Sequence, residues 1–175
     1  KTGEAVYRSL VRSGYDAVAI DVGPDLSKTL EAQAVEVGFL ALHGPGGEDG
    51  AIQGFLETLG IPYTGSGVRA SAVGMHKVVT KTELAAQGIP APRGTVVLRG
   101  TAPSLKRVLS ICKLKLPVVV KPASQGSTIG VTIVRKPSQW KEALRVAHRY
   151  DEEAMVEAFI PGHEVTVSLL GGSDG

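Results

Sequence analysis

At 175 residues with 43% hydrophobic content, the chain is long enough to build one medium domain or two small ones around a buried core. Its 19 basic and 17 acidic residues leave a net charge of +2 and are scattered, so no basic block marks a nucleic-acid surface. The single Cys112 excludes an intrachain disulfide and fits a reducing compartment; no run has the apolar length needed to span a bilayer, no signal peptide is visible, and the expected setting is the cytoplasm.

Residues 4–13 place Ala5, Val6, Leu10 and Val11 near one helical face, with Gly14 as a C-cap. Residues 15–22 read as a strand, 26–34 as a short helix or loop, and 36–42 as a second, buried strand. Strands separated by helical connections predict a parallel, Rossmann-like sheet. The second strand runs into residues 43–50, HGPGGEDG, which lie beyond the carboxyl end of a strand, the edge where open α/β sheets bind ligands. The same glycines also suit a tight strand-to-helix turn, and Glu48 and Asp49 also suit helix capping. A helix over 51–59 stops at Gly60, and 61–64 is a short strand or extended link.

A loop over 65–71 feeds a helix predicted over 72–87, on which Lys77 and Lys81 share a face. A solvated surface is the ordinary place for both lysines. Residues 91–98 read as a strand, and 104–115 as a helix with Ser104 as its N-cap. In residues 116–121 the β-branched run of Val118, Val119 and Val120 makes a strand interior that leaves Lys121 at its end. The loop that follows, with Ser124, Gln125, Gly126, Ser127, Thr128 and Gly130, offers backbone N–H groups and hydroxyls to an anion, although such a loop also serves as a plain hairpin turn. No Gly-Lys-Ser or Gly-Lys-Thr follows and a strand over 128–135 comes next, so this is not a Walker A motif but a flap closing over a nucleotide with Lys121 beneath it. A helix capped by Ser138 runs to about Tyr150, and residues 154–157 are a strand. Glu157 ends it just before Phe159, Ile160, Pro161 and Gly162. Residues 164–170 alternate as half-buried β. This second part predicts an α+β lobe; Lys1 starts directly in a predicted helix and Gly175 follows a glycine-rich turn after a strand, so a fragment is expected.

The series His43-Gly44-x-x-Gly47-Glu48-Asp49-Gly50-x-Ile52-Gln53-Gly54 resembles the first signature of the D-alanine–D-alanine ligases, bacterial cell-wall enzymes of the ATP-grasp superfamily, with every fixed position filled. The similarity continues through Pro62 to Gly67, Ala70 to Ala72, Met75-His76-Lys77, Gly88-Ile89-Pro90 and Val120-Lys121-Pro122. The resemblance implies a Rossmann-like lobe over 1–65 lacking its first strand, a central ATP-grasp lobe over 66–157, and the start of a C-terminal ATP-grasp lobe over 158–175. It implies Lys77 and Lys121 on the α/β-phosphates of ATP, the Gln125-Gly126-Ser127-Thr128 loop as a lid on the β/γ-phosphates, and Ser127 also near the first substrate. Glu157 would accept from the adenine amino group, the backbone around Phe159 and Ile160 would meet the ring, and Glu164 would take the ribose hydroxyls, because an ionised carboxylate only accepts. His43 and Glu48 would orient the first D-alanine, with the carboxylate keeping the imidazole in place.

The implied reaction passes the γ-phosphoryl group to one D-alanine carboxylate, and the amine of a second then attacks the acylphosphate. Two departures stand out: His76 replaces the common aspartate, and Gln-Gly-Ser-Thr stands where Glu-Gly-Ser-Ser is common. Ligands for Mg²⁺ are expected in a further C-terminal part, without which this chain alone would be inactive. A homodimer is expected from the family. A D-alanine–D-lactate or D-serine ligase and a non-catalytic ATP-binding module are the alternatives.

Overall fold

The structure is a computed structural model and describes residues 2–168. The first part holds α1 (Thr2–Arg12), α2 (Leu26–Ala32) and α3 (Ala51–Thr58). Leu30, Ile52 and Leu56 form a small buried cluster that Ile20, Leu40, Leu42 and Tyr63 help to cover. The extended segments predicted as strands do run where expected, but they do not form a ladder. Strand pairing in this part of the described residues is limited to a parallel bridge between Gly38 and Tyr63, where Gly38 N donates to Pro62 O at 2.8 Å and Thr64 N donates to Gly38 O at 2.9 Å. Residues 36–42 bury one face without pairing, Leu40 and Leu42 packing inward while Val37 and Phe39 stay exposed; in residues 15–22 Ile20 joins the cluster while Tyr15, Val18 and Val22 are exposed.

The helix predicted over 72–87 is two helices, α4 (Val68–Met75) and α5 (Lys77–Ala86), broken at His76, whose φ of −94° and ψ of 96° are extended. The break has a local cause. The Thr80 hydroxyl lies 2.5 Å from Val73 O, the acceptor that Lys77 N would use in a continuous helix, and Lys77 N donates instead to Ala123 O at 3.0 Å. A threonine one turn into α5 thus turns its first residue toward the loop after Lys121.

The second part is a four-stranded antiparallel sheet in the order β1 (Gly94–Leu98), β4 (Glu153–Ala158), β2 (Val118–Pro122), β3 (Thr132–Val134). Between these strands lie α6 (Leu105–Ile111), with Ser104 accepting from Arg107 N as its cap, a 3₁₀ turn at Pro137–Gln139, and α7 (Trp140–Ala147). Ser138 falls inside the turn. The Gln139 side chain does the capping, accepting from Arg135 N at 2.8 Å and Lys136 N at 2.9 Å. One face of the sheet, with Val97, Val118, Val120, Val134, Ala154 and Val156, packs on Leu105 and Val108 of α6 and on Trp140, Ala143, Leu144 and Ala147 of α7. Cys112 packs against this cluster, in line with a spectator thiol.

The third expected strand change concerns residues 164–170. Those described, 164–168, are exposed and unpaired, with Val165 and Val167 at 85% and 80%; residues 169 and 170 lie outside the described residues. An alternating segment becomes a strand only against a neighbour that takes its N–H and C=O groups, and among the described residues no strand does so.

Trp140 carries a test of the core. Its ring is buried and its Nε1–H donates to Pro103 O at 2.9 Å, so Trp140→Phe should lower unfolding free energy in urea by about 1–3 kcal/mol with an unchanged denaturant slope.

Candidate functional site

Antiparallel register brings the first two candidate residues together. Lys121 on β2 stands opposite Met155 on β4, and Val119 stands opposite Glu157, so Lys121 and Glu157 are diagonal neighbours on the sheet face turned away from α6 and α7. Glu157 has a side chain only 6% exposed, with Lys121 Nζ 2.5 Å from Oε2 and Lys81 Nζ 2.6 Å from Oε1. Lys81 reaches in from α5 and also donates to the Pro92 carbonyl. Burial pushes the Glu157 carboxyl upward, but the hydrogen bonds and charges of Lys121 and Lys81 outweigh it and hold the group below its ordinary 4.5. Gly94 on β1 sits opposite Glu157, and a Cβ there would lie 2.3 Å from Val156 O and 3.1 Å from the Glu157 Cγ, so only glycine lets β1 close beside the carboxylate.

Lys77 lies at the other side of the same open face. Its Nζ donates to Gln125 O and lies 3.4 Å from Ala123 O, both in the flap. Burial, and then the nearby Lys121 charge, lower its pKa from the ordinary 10.5, with Asp151 and Glu157 opposing in part. Two half-buried cations held this close are relieved by an anion placed between them. The flap is tethered at its start by Asp151, which accepts from Ser124 N at 2.7 Å and from Glu153 N at 3.0 Å. Burial pushes Asp151 up, and those backbone N–H donors hold it below 3.8 all the same. Beyond this tether Gln125 is half-buried, with its amide 3.5 Å from Tyr150 O, while Ser127 and Thr128 are exposed. Ser127 has φ of +54°, a left-handed conformation that costs a serine free energy. Gly130 closes the flap with φ of +72° under Pro122, whose Cγ a Cβ would approach to 2.7 Å.

The first-lobe loop meets the flap at Gly126, where a Cβ would come 3.6 Å from Glu48 Oε2. Glu48 does not hold His43 as expected. Its Oε2 accepts from Gly44 N at 2.6 Å, since that backbone donor is the nearer one in the turn, and His43 is exposed. Asp49 accepts from Gly46 N at 2.7 Å and Ala51 N at 3.1 Å, which keeps its carboxyl below the ordinary 3.8. A cavity of about 260 Å³, lined by Pro45, Asp49, Ala72, Met75, His76 and Ser124, lies where this loop, α4 and the flap converge. A second, of about 320 Å³, runs between α5 and β1 beside Lys81 and Met155.

The hinge residues are less assembled. Phe159 is half-buried with the Arg135 guanidinium 5.5 Å from its ring centre, whereas Ile160 is 64% exposed and Glu164 is exposed, outside the buried Glu157 cluster. Among the described residues no group of three or more His, Cys, Asp or Glu is placed to hold a metal ion, and no helix is long and apolar enough to cross a membrane. Lys81 and Asp151 are the members of the site that sequence reasoning did not single out. The four-residue spacing from Lys77 is the one signal that pointed at Lys81; Asp151 had none beyond its place before a strand.

Two family models match the chain: "D-ala D-ala ligase N-terminus" over residues 16–66 and "D-ala D-ala ligase C-terminus" over residues 84–175. The D-alanine–D-alanine ligase of Geotalea uraniireducens is 49% identical over 170 residues, which cover 97% of this chain and 54% of that protein. That of Citrifermentans bemidjiense is 48% identical over 171 residues, covering 98% and 54%. Among solved structures, the D-alanine–D-alanine ligase from Bacillus anthracis aligns with a TM-score of 0.79 at 33% identity over 92% of this chain and 52% of that one. The Coxiella burnetii enzyme aligns with 0.64 at 37% identity over 73% and 36%. The chain spans about half the length of the curated relatives it matches. With its glycine-rich signature, its lysine-bearing sheet face and a family model that runs over more than half of its residues, the chain belongs to the D-alanine–D-alanine ligase family.

Proposed function

We propose that the protein to which this chain belongs joins two D-alanines through an acylphosphate, with ATP as phosphoryl donor, to supply a peptidoglycan precursor in the cytoplasm. The observation that carries this is the meeting of Lys77, Lys121, the 125–128 flap and Glu157 on one open sheet face in a chain of this family. Carboxylate is a poor electrophile, and phosphorylation supplies the leaving group that the amine of the second D-alanine displaces. The task of the residues is charge neutralisation, positioning and exclusion of water from the acylphosphate.

In this reading Lys77 and Lys121 take the α/β-phosphates, and Gln125, Gly126, Ser127 and Thr128 close over the β/γ-phosphates. The exposed hydroxyls and the left-handed turn at Ser127 support a loop held ready for a ligand rather than packed away. Glu157 accepts from the adenine amino group, Phe159 and Ile160 bound the ring, and Glu164 takes the ribose. His43 and Glu48 lie at the first D-alanine, near the 260 Å³ cavity whose wall is shared by Asp49 and Ser124. Residues 1–65, 66–157 and 158–175 would form a Rossmann-like N-terminal lobe, a central ATP-grasp lobe and the start of a C-terminal ATP-grasp lobe. Mg²⁺ would accompany ATP; the described residues do not fit a metal by themselves. The active form is proposed as a homodimer.

Phosphate release from ATP by the full-length protein should depend on D-alanine; stimulation by another amino acid and not by D-alanine would contradict the substrate. Lys121→Ala should raise KM for ATP about 10–100-fold, as the loss of one or two charge-assisted contacts requires. Because burial and Lys121 lower the Lys77 pKa, its charge is lost earlier on the alkaline side than that of an ordinary lysine. The kcat/KM for ATP should therefore fall at a pH below 10.5, and Lys77→Arg, which keeps its charge, should move that fall upward.

A further inference from the structure

The two lysines on Glu157 are not equivalent. Lys81 Nζ is anchored twice, to Glu157 Oε1 at 2.6 Å and to the Pro92 carbonyl, on a side chain that leaves a helix. Lys121 Nζ has Glu157 Oε2 as its polar partner at 2.5 Å and lies beside the flap and within the influence of Lys77. A triphosphate arriving under the flap offers Lys121 a denser negative charge than one carboxylate oxygen. If Lys121 were the sole counter-ion of Glu157, its departure would leave a carboxylate with a 6% exposed side chain uncompensated, a heavy cost for a buried charge. With Lys81 in place that cost does not arise. Each carboxylate oxygen has two lone pairs and only accepts, so an Oε2 vacated by Lys121 is suited to an exocyclic amine.

We propose that Lys81 is a positioning residue of the nucleotide pocket: tied to the Pro92 carbonyl, it fixes Glu157 through Oε1, so that Lys121 can pass from Oε2 to a phosphate and leave that oxygen for the purine amino group. The proposal rests on the reading of Glu157 as the adenine acceptor. It makes phosphate binding and base recognition two sides of one exchange at a single carboxylate oxygen. Without Lys81, Lys121 must serve the buried carboxylate and the phosphate at once. Both ATP affinity and discrimination against inosine triphosphate, whose ring carbonyl accepts where adenine donates, then decline together.

The test is steady-state kinetics of the full-length protein with ATP and with inosine triphosphate, for the wild type, Lys81→Met, Lys81→Arg and Glu157→Gln. Lys81→Met is expected to raise KM for ATP about tenfold, keep kcat within about threefold, and narrow the ATP preference in kcat/KM at least about fivefold. Lys81→Arg is expected to retain most of that preference. Should Lys81→Met fail to fold, Lys81→Gln carries the same comparison. A fall in kcat that is equal for both nucleotides, with the preference intact, would overturn the proposal and leave Lys81 a structural residue. Glu157→Gln separates the two levels. If it narrows the preference and Lys81→Met does not, the Lys81 proposal alone falls; if it leaves the preference unchanged, the adenine reading of Glu157 falls and takes the proposal with it.

Discussion

A carboxylate that is both buried and ionised sets the terms for everything around it. Glu157 has a side chain 6% exposed, and against the upward push of that burial it stays ionised because Lys81 and Lys121 each approach one of its oxygens. That pairing fixes the position of α5 against the sheet, since Lys81 belongs to the helix and Glu157 to β4. It also fixes the end of β2, where Lys121 would otherwise turn to solvent. Stability and ligand chemistry meet in this one cluster.

The rest of the site follows from backbone geometry that serves the cluster. Antiparallel register places Lys121 and Glu157 diagonally on the face opposite the apolar core, which is why the same two strands can be apolar on one side and charged on the other. The Thr80 hydroxyl takes the carbonyl that would have continued α4 into α5, and the freed Lys77 N–H binds Ala123 at the root of the flap. Asp151 fastens the next residue, Ser124, from the far end of α7. The flap is therefore held at its base from α5 and from the link between α7 and β4 while Ser127 and Thr128 stay exposed.

The sequence made the second lobe largely legible because its signals are local and strong. A β-branched run ending in Lys121, a Ser104 cap and the helix predicted to run to about Tyr150 each found their element within a few residues. The break at His76 was not read from the sequence: Gly74 lowers helix propensity just before it, but the break itself depends on a side-chain hydroxyl and on a carbonyl 46 positions away. Alternation in residues 164–168 said which face is apolar and could not say whether a neighbouring strand is there to pair with, and the apolar content of residues 15–22 was equally silent on pairing. At the site, Lys77 and Lys121 were found through a family signature, whereas Lys81 looked like any surface lysine because the burial that gives it meaning arises only when β4 lies beneath α5. The expected Glu48 to His43 contact failed for a similar reason, since a turn offers a carboxylate its own N–H groups first.

The proposed function has Lys77, Lys121 and the flap serve one triphosphate whose base lies on Glu157. It is tested most directly by a crystal structure of the full-length protein with a non-hydrolysable ATP analogue. The expected result has phosphate oxygens within hydrogen-bond distance of Lys77 and Lys121, with the adenine amine on the Glu157 carboxylate and Lys81 still in contact with its other oxygen. A triphosphate bound elsewhere, with Lys121 still on Glu157, would contradict it.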